Sequence, residues 1–386
     1  MHHFAIDGNE ANTSQRVGSN VFAFELIVAL EELTRNSNQV QWTVLLSSPG
    51  AQDLPAERTG WSYTVVSPRP LWTQIALPVH LFLHQTQYDA FFTPGHYAPR
   101  SSAVPYITSV MDLAFLEHPD QFRKKDYLQL KEWTAYSVRH ADKVLAISEF
   151  SKQAVMKHYK RKTEDVFIAY PSLPLVREDQ SKVSASWIKK ELGLKDPYIL
   201  YVGTLQPRKN IVSLIKAFDQ FCASYTHRKK DNPQLVIAGK VGWFADETLK
   251  TIERSTYRER IHVLGYVSDA QKTVLYRKSA CSVLIGLYEG FGIPPLEAMA
   301  AGTIPVVSDT SSLPEVVGEA GFKVSPYDTR DLVSVFSGIL ALSPRHRAAL
   351  LKKGRLQVKK FSWQESAQKV LDELIGVASN YGKKAC

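Results

Sequence analysis

Short, nearly continuous apolar runs alternate along the chain with longer stretches of mixed polarity. In the first half the runs are HHFAID, VQWTVLLSS, YTVVS, YDAFFT, VPYITSVMD, DKVLAIS and DVFIAYP. Rich in valine, isoleucine and aromatic residues, they read as strands buried on both faces. Between them SNVFAFELIVALEEL, LPVHLFLHQ and YLQLKEWTAYSVRH carry helical spacing. YILYVG, LVIAG, IHVLG, CSVLIG, IPVVS and FKVS repeat the plan in the second half. This alternation predicts βαβ units and, in each half, a parallel doubly wound sheet. PSLPLVREDQSKVSAS (171–186) has no periodicity and reads as a linker. An α/β chain of two Rossmann-like domains is therefore expected, 1–175 and 187–365, with 366–386 a C-terminal helix packing back toward the first domain. Open parallel sheets hold ligands at the carboxyl ends of their strands. Two of them would face a cleft with one ligand surface on each wall.

Composition narrows the class. A length of 386 residues suits two domains, and 44% apolar with 22% charged residues describes a globular protein. Cys222, Cys281 and Cys386 are too few and too scattered for a disulfide framework or a zinc site, so a reducing, cytoplasmic setting is expected. No apolar stretch is long enough to span a membrane, and MHHFAIDG lacks the pattern of a signal peptide. Lys and Arg number 16 against 17 Asp and Glu through Leu175, then 31 against 21, so the net charge of +9 lies wholly in the second half. Such an excess suits a solvated basic surface or a half that holds a polyanion, namely a nucleotide diphosphate, an anionic membrane or nucleic acid.

The densest chemistry lies in LYEGFGIPPLEAMAAGTIPVV (287–307). Glu289 follows the strand CSVLIG, Gly290 and Gly292 allow a tight turn, and Pro294 and Pro295 suit a first helical turn. Glu297 is then expected in that first turn, with Gly302 ending the helix. Carboxylates at a strand end accept hydrogen bonds from hydroxyl groups, in which sugars are rich. The plainer alternative makes Glu297 a partner of the helix dipole and leaves Glu289 solvated. In GTLQPRKN (203–210), Arg208 and Lys209 precede Asn210, a candidate N-cap of the next helix. Cations beside a helix start at a strand end favour a phosphate group. Gly18 opens the first helix in VGSNVFAFELI, with Ser19 or Asn20 as its cap. His96 in FFTPGHYAP, Asp112 in MDLAFLEHP and Ser148 in ISEFSK follow strands at the same edge.

Taken in order, these stretches resemble the retaining glycosyltransferases of the GT-B fold, and in particular family 4 with its pair of glutamates eight positions apart. LVIAGKVGW (235–243) and VLGYVSDAQKTVLY (263–276) match further strand–loop units, although many relatives have histidine where Met111 stands. The resemblance implies transfer of a sugar from a nucleotide-diphosphate donor to an acceptor hydroxyl. It implies Glu289 on the sugar hydroxyls, Glu297 on the ribose, and Arg208 and Lys209 on the leaving diphosphate in place of a metal. The loop beginning at Gly203 would hold the diphosphate, with Gly18 approaching it from the opposite wall. The backbone of Phe291, Gly292 and Ile293 would meet sugar and phosphate, and that of Val267 the base. His96 would touch the transferred sugar. Asp112 and Ser148 would shape the acceptor side or merely cap helices.

The likeness is greatest to mannosyltransferases of surface-polysaccharide assembly, so GDP-mannose is the expected donor. A saccharide or lipid-linked saccharide is the expected acceptor, with peripheral contact at the inner membrane surface. No metal or other cofactor is expected. Three alternatives compete. A Rossmann oxidoreductase lacks its Gly-x-Gly-x-x-Gly loop. A nucleic-acid-binding protein would suit the charge but sets carboxylates against a phosphate backbone. A nucleotide-sugar epimerase of the same fold would act on donor without acceptor.

Overall fold

A computed structural model of the protein describes residues 1–95, 97–174, 187–188, 192–194, 198–225 and 233–385. The chain divides into two compact units, 1–175 together with 361–386, and 176–360. His96, Cys386 and the linker from 175 to 186 lie outside the described residues.

The first unit is built on a seven-stranded sheet in the order β3-β2-β1-β4-β5-β6-β7. Its strands are β1 (His2–Asp7), β2 (Val40–Leu46), β3 (Trp61–Val65), β4 (Ala90–Thr93), β5 (Tyr106–Val110), β6 (Lys143–Ala146) and β7 (Val166–Ile168), and every pairing is parallel. The second unit carries six strands in the order β10-β9-β8-β11-β12-β13. These are β8 (Tyr198–Val202), β9 (Gln234–Ala238), β10 (Ile261–Gly265), β11 (Cys281–Leu284), β12 (Pro305–Ser308) and β13 (Phe322–Val324), again all parallel. The central strands are buried on both faces, which is why their sequences read as unbroken apolar runs rather than alternating ones.

Each sheet reverses its winding once, between β1 and β4 and between β8 and β11. A crevice opens at such a reversal, because the loops leaving the two strands run to opposite faces of the sheet. Asp7 and Gly8 leave β1 at the first crevice, and the loops 203–210 and 285–292 leave β8 and β11 at the second.

The helix Trp363–Ala385 belongs to the first unit, where it packs on the helix Ser19–Thr34 and on β4. Its anchor is aromatic. The Trp363 indole donates to the Leu173 carbonyl at 2.9 Å and its ring lies against Phe22, while Phe361 meets Tyr170 edge to face. These rings precede residue 366, so the chain returns to the first unit at Phe361 rather than at 366.

Candidate active site

The two loops at the β8/β11 crevice are joined by backbone before any side chain is considered. Leu287 N–H donates to the Arg208 carbonyl at 2.8 Å. Ser312, fully buried, points its hydroxyl at the carbonyls of Glu289 (2.9 Å) and Phe291 (2.8 Å), sharing one proton between them. Glu289 N–H donates to Ser311 Oγ at 3.2 Å. The turn between them requires glycine. Gly292 has φ +106°, and a Cβ there would lie 2.5 Å from Leu313 Cδ2. Gly203 and Gly239 meet so closely that a Cβ on Gly239 would sit 1.9 Å from the Gly203 carbonyl oxygen. That contact sets the start of the 203–210 loop.

Within this frame Glu289, whose side chain is only 7% exposed, receives Lys209 Nζ on both oxygens, at 2.6 and 2.8 Å. Arg208 donates to the Tyr288 carbonyl at 3.2 Å and stands 3.5 Å from the second Glu289 oxygen. Burying a carboxylate so deeply is costly unless a cation is paired with it. The crevice therefore holds one acidic and two basic groups ready to exchange partners with a ligand that brings both hydroxyls and phosphates.

Glu297 sits differently from the sequence expectation. The helix begins at Ile293 and has no acidic residue in its first turn, so Glu297 lies one turn in, where dipole effects have faded. Its oxygens take Lys272 Nζ at 2.5 Å and the Tyr276 hydroxyl at 3.0 Å, both from the helix Asp269–Lys278. Burial pushes the Glu297 carboxyl above its ordinary range, outweighing the pull of Lys272. Burial works against the Lys272 ammonium, yet Glu297 and Asp269 together hold it above the usual lysine value. Lys272 and Tyr276 were not singled out from the sequence, although their spacing of four already placed them on one helix face.

The helix-start expectations for Asn210, Ser19 and Asn20 are corrected, whereas Ser148 and Asp112 follow the helix-start alternative. Asn210 holds the N-cap position of the helix Ile211–Ser224 but makes no cap bond. Its backbone is left-handed, which turns the side chain away to donate to the Pro326 carbonyl at 2.7 Å. At the first helix the cap position belongs to Gly18 (φ +56°). Ser19 and Asn20 bond the Glu10 carboxylate, at 3.3 and 2.7 Å, instead of capping. Ser148 is fully buried and caps the helix Glu149–Tyr159 by accepting Ser151 N–H at 3.0 Å. Asp112 accepts Ala114 N–H at 3.0 Å. Both side chains are thus occupied at helix starts. Val267 packs partly buried against the core under β8 and β9.

A residue absent from the sequence reading stands at the other crevice. Asp7 ends β1 and accepts Asn9 N–H at 3.0 Å. Burial, reinforced by Glu10, pushes its carboxyl up to about 7. The signal was the acid closing an otherwise apolar strand, HHFAID.

Residues 185–357, nearly the whole second unit, match the family described as glycosyl transferases group 1. The second unit carries a glycosyl transferases group 1 domain, and the chain is a glycosyltransferase. Among its relatives, this glycosyltransferase is 29% identical over 268 residues to O-antigen chain mannosyltransferase B of Escherichia coli, covering 69% of each chain. It is 30% identical over 239 residues to the serotype-specific mannosyltransferase WbdA of Escherichia coli, covering 60% of this chain and 28% of that longer one. In fold it is similar to Anabaena Alr3699/HepE, solved in complex with UDP-glucose, with a TM-score of 0.69 and 18% identity across 97% of this chain and 100% of that one. The two parallel-sheet units of the glycosyltransferase are those of the GT-B fold.

Removing Glu297 tests its place in the site. Glu297→Ala is expected to raise the donor KM by roughly 10- to 100-fold, from the loss of ~1.5–3 kcal/mol of charged hydrogen bonding. It should also lower the melting temperature, because Lys272 loses its buried partner. A variant with unchanged KM and lowered melting temperature would make the Lys272–Glu297–Tyr276 cluster purely structural.

Proposed function

We propose that this glycosyltransferase moves mannose from GDP-mannose to a hydroxyl of a growing surface polysaccharide or glycolipid, with retention of configuration and without a metal. The observation that carries the reading is the Lys209–Glu289 pair at the β8/β11 crevice, with Arg208 beside it. The donor's diphosphate takes over Lys209 and Arg208, and the released Glu289 carboxylate accepts the sugar hydroxyls. Glu297 takes the ribose hydroxyls. The acceptor oxygen attacks the anomeric carbon on the face that the diphosphate leaves and gives its proton to the departing phosphate oxygen, so no carboxylate nucleophile is required. The enzyme's part is to hold the partners and neutralise the departing charge. Two cations beside the crevice supply the charge that a divalent ion provides elsewhere.

The mannose assignment draws on the two mannosyltransferase relatives, and the nucleotide-sugar class on the UDP-glucose complex of the structural neighbour. No helix among the described residues is long and apolar enough to cross a membrane. The reading places the enzyme at the cytoplasmic membrane face, working on a saccharide or lipid-linked saccharide and bound peripherally.

A panel of nucleotide sugars, screened by thermal shift in excess EDTA, tests donor and metal together. GDP-mannose is expected to raise the melting temperature most, by mass action on the folded state. A larger shift with another donor would replace the sugar assignment, and a shift that needs added magnesium or manganese would end the metal-free one.

A further inference from the structure

The helix Ala76–Leu83, ALPVHLFL, is apolar except for His80, whose ring meets the Tyr88 hydroxyl at 3.1 Å. Ala76, Leu77 and Leu81 lie in the core of the first unit, as an amphipathic helix would place them. The opposite side should then be polar, and it is not. Val79, Phe82 and Leu83, with Leu71 and Ile75 in the turn before the helix, are 49–69% exposed. Scattered single apolar residues on a surface need no explanation, but five on one side of one helix and its lead-in do.

Charge supports the reading. From residue 58 to residue 88 there is no aspartate or glutamate; Arg58 in this stretch is spent on Glu31, and Arg69 lies exposed just before Leu71. A surface meant for water carries carboxylates freely, whereas one meant for an anionic bilayer excludes them. Size argues against a protein partner. Five half-exposed side chains amount to roughly 300–600 Å², the largest patch of an ordinary monomer. A stable protein interface covers about 800 Å² on each side. The patch also starts in the loop after β3, at the carboxyl edge of the first sheet, the edge at which open parallel sheets take their ligands.

We propose that Leu71, Ile75, Val79, Phe82 and Leu83 form a membrane-docking face that inserts into the interfacial layer of an anionic lipid bilayer. Helices of this kind lie in the interface plane with the apolar side sunk to the acyl boundary. The inference deepens the peripheral-membrane reading above, and it is tested without donor or acceptor, so a wrong sugar assignment leaves its outcome untouched.

The test is co-sedimentation of the whole chain with vesicles of phosphatidylethanolamine and phosphatidylglycerol. Wild type is expected in the pellet, and the triple variant Val79→Ser, Phe82→Ser, Leu83→Ser is expected to bind at least tenfold more weakly with an unchanged melting temperature. Phe82→Trp should bind like wild type and show bluer emission when vesicles are added. Any of four results overturns the proposal: wild type that stays in solution, a triple variant that binds equally well, emission from Phe82→Trp that vesicles do not move, or a wild-type dimer that the triple variant turns into a monomer. Binding abolished by high salt would also overturn it, in favour of the exposed basic helix Pro344–Val358. Should the triple variant fail to fold, the Phe82→Trp emission decides.

Discussion

Glu289→Gln is expected to lower kcat roughly 10²-fold while nucleoside diphosphate affinity holds or rises slightly. The size follows from losing one fixed charge beside the developing charge of the transition state, at a side chain only 7% exposed. Glutamine keeps the size of the side chain and one acceptor oxygen. The loop itself should not move, since Ser312 and Ser311 hold it through the backbone of Glu289 and Phe291. Lys209 loses the carboxylate that occupies it in the free enzyme, and so meets a diphosphate with less competition. An effect confined to kcat marks an interaction that strengthens in the transition state rather than one that binds donor uniformly. Normal kinetics in this variant would remove Glu289 from the chemistry.

Lys209→Ala is expected to damage stability and binding together. It strips both short bonds from a carboxylate that is 7% exposed. Breaking a buried pair costs ~3–5 kcal/mol, and the lower end applies because Arg208 remains within reach of Glu289. In a domain of this size that lowers the melting temperature by roughly 6–12 °C. Diphosphate affinity should fall as well, more at low salt than at high, because the lost contact is charge-assisted. The double variant Lys209→Ala, Glu289→Gln separates the two effects. Removing the stranded charge should restore most of the melting temperature and none of the diphosphate binding. A double variant no more stable than Lys209→Ala alone would mean that the pair does not hold the crevice together.

The strands were legible because a parallel sheet covered on both faces favours apolar residues at nearly every position, as in YILYV and, with Ser282 the exception, CSVL. Glu289 could be placed at a strand end for the same reason. The helix starts were harder. Asn210 adopts left-handed backbone and Gly18 a positive φ at the cap positions, and a sequence does not reveal that Asn210, Ser19 and Asn20 will spend their side chains elsewhere. The depth of Glu297 in its helix turned on whether Ile293 or Pro295 opens it, a shift of two residues that moves a carboxylate between turns. Lys272 and Asp7 were missed because their partners, Glu297 and Asn9, matter only once burial is known. The return of the chain at Phe361 rests on contacts with Tyr170 and Leu173, nearly two hundred residues away, which no local pattern encodes.

The proposed donor site at the β8/β11 crevice is tested most directly by calorimetric titration of GDP into the wild-type enzyme and into the Arg208→Ala, Lys209→Ala double variant. With the two cations as the diphosphate's main partners, the double variant should bind at least tenfold more weakly, and the difference should shrink as salt rises. Equal affinity in the two proteins would contradict the account and take the 203–210 loop out of the active site.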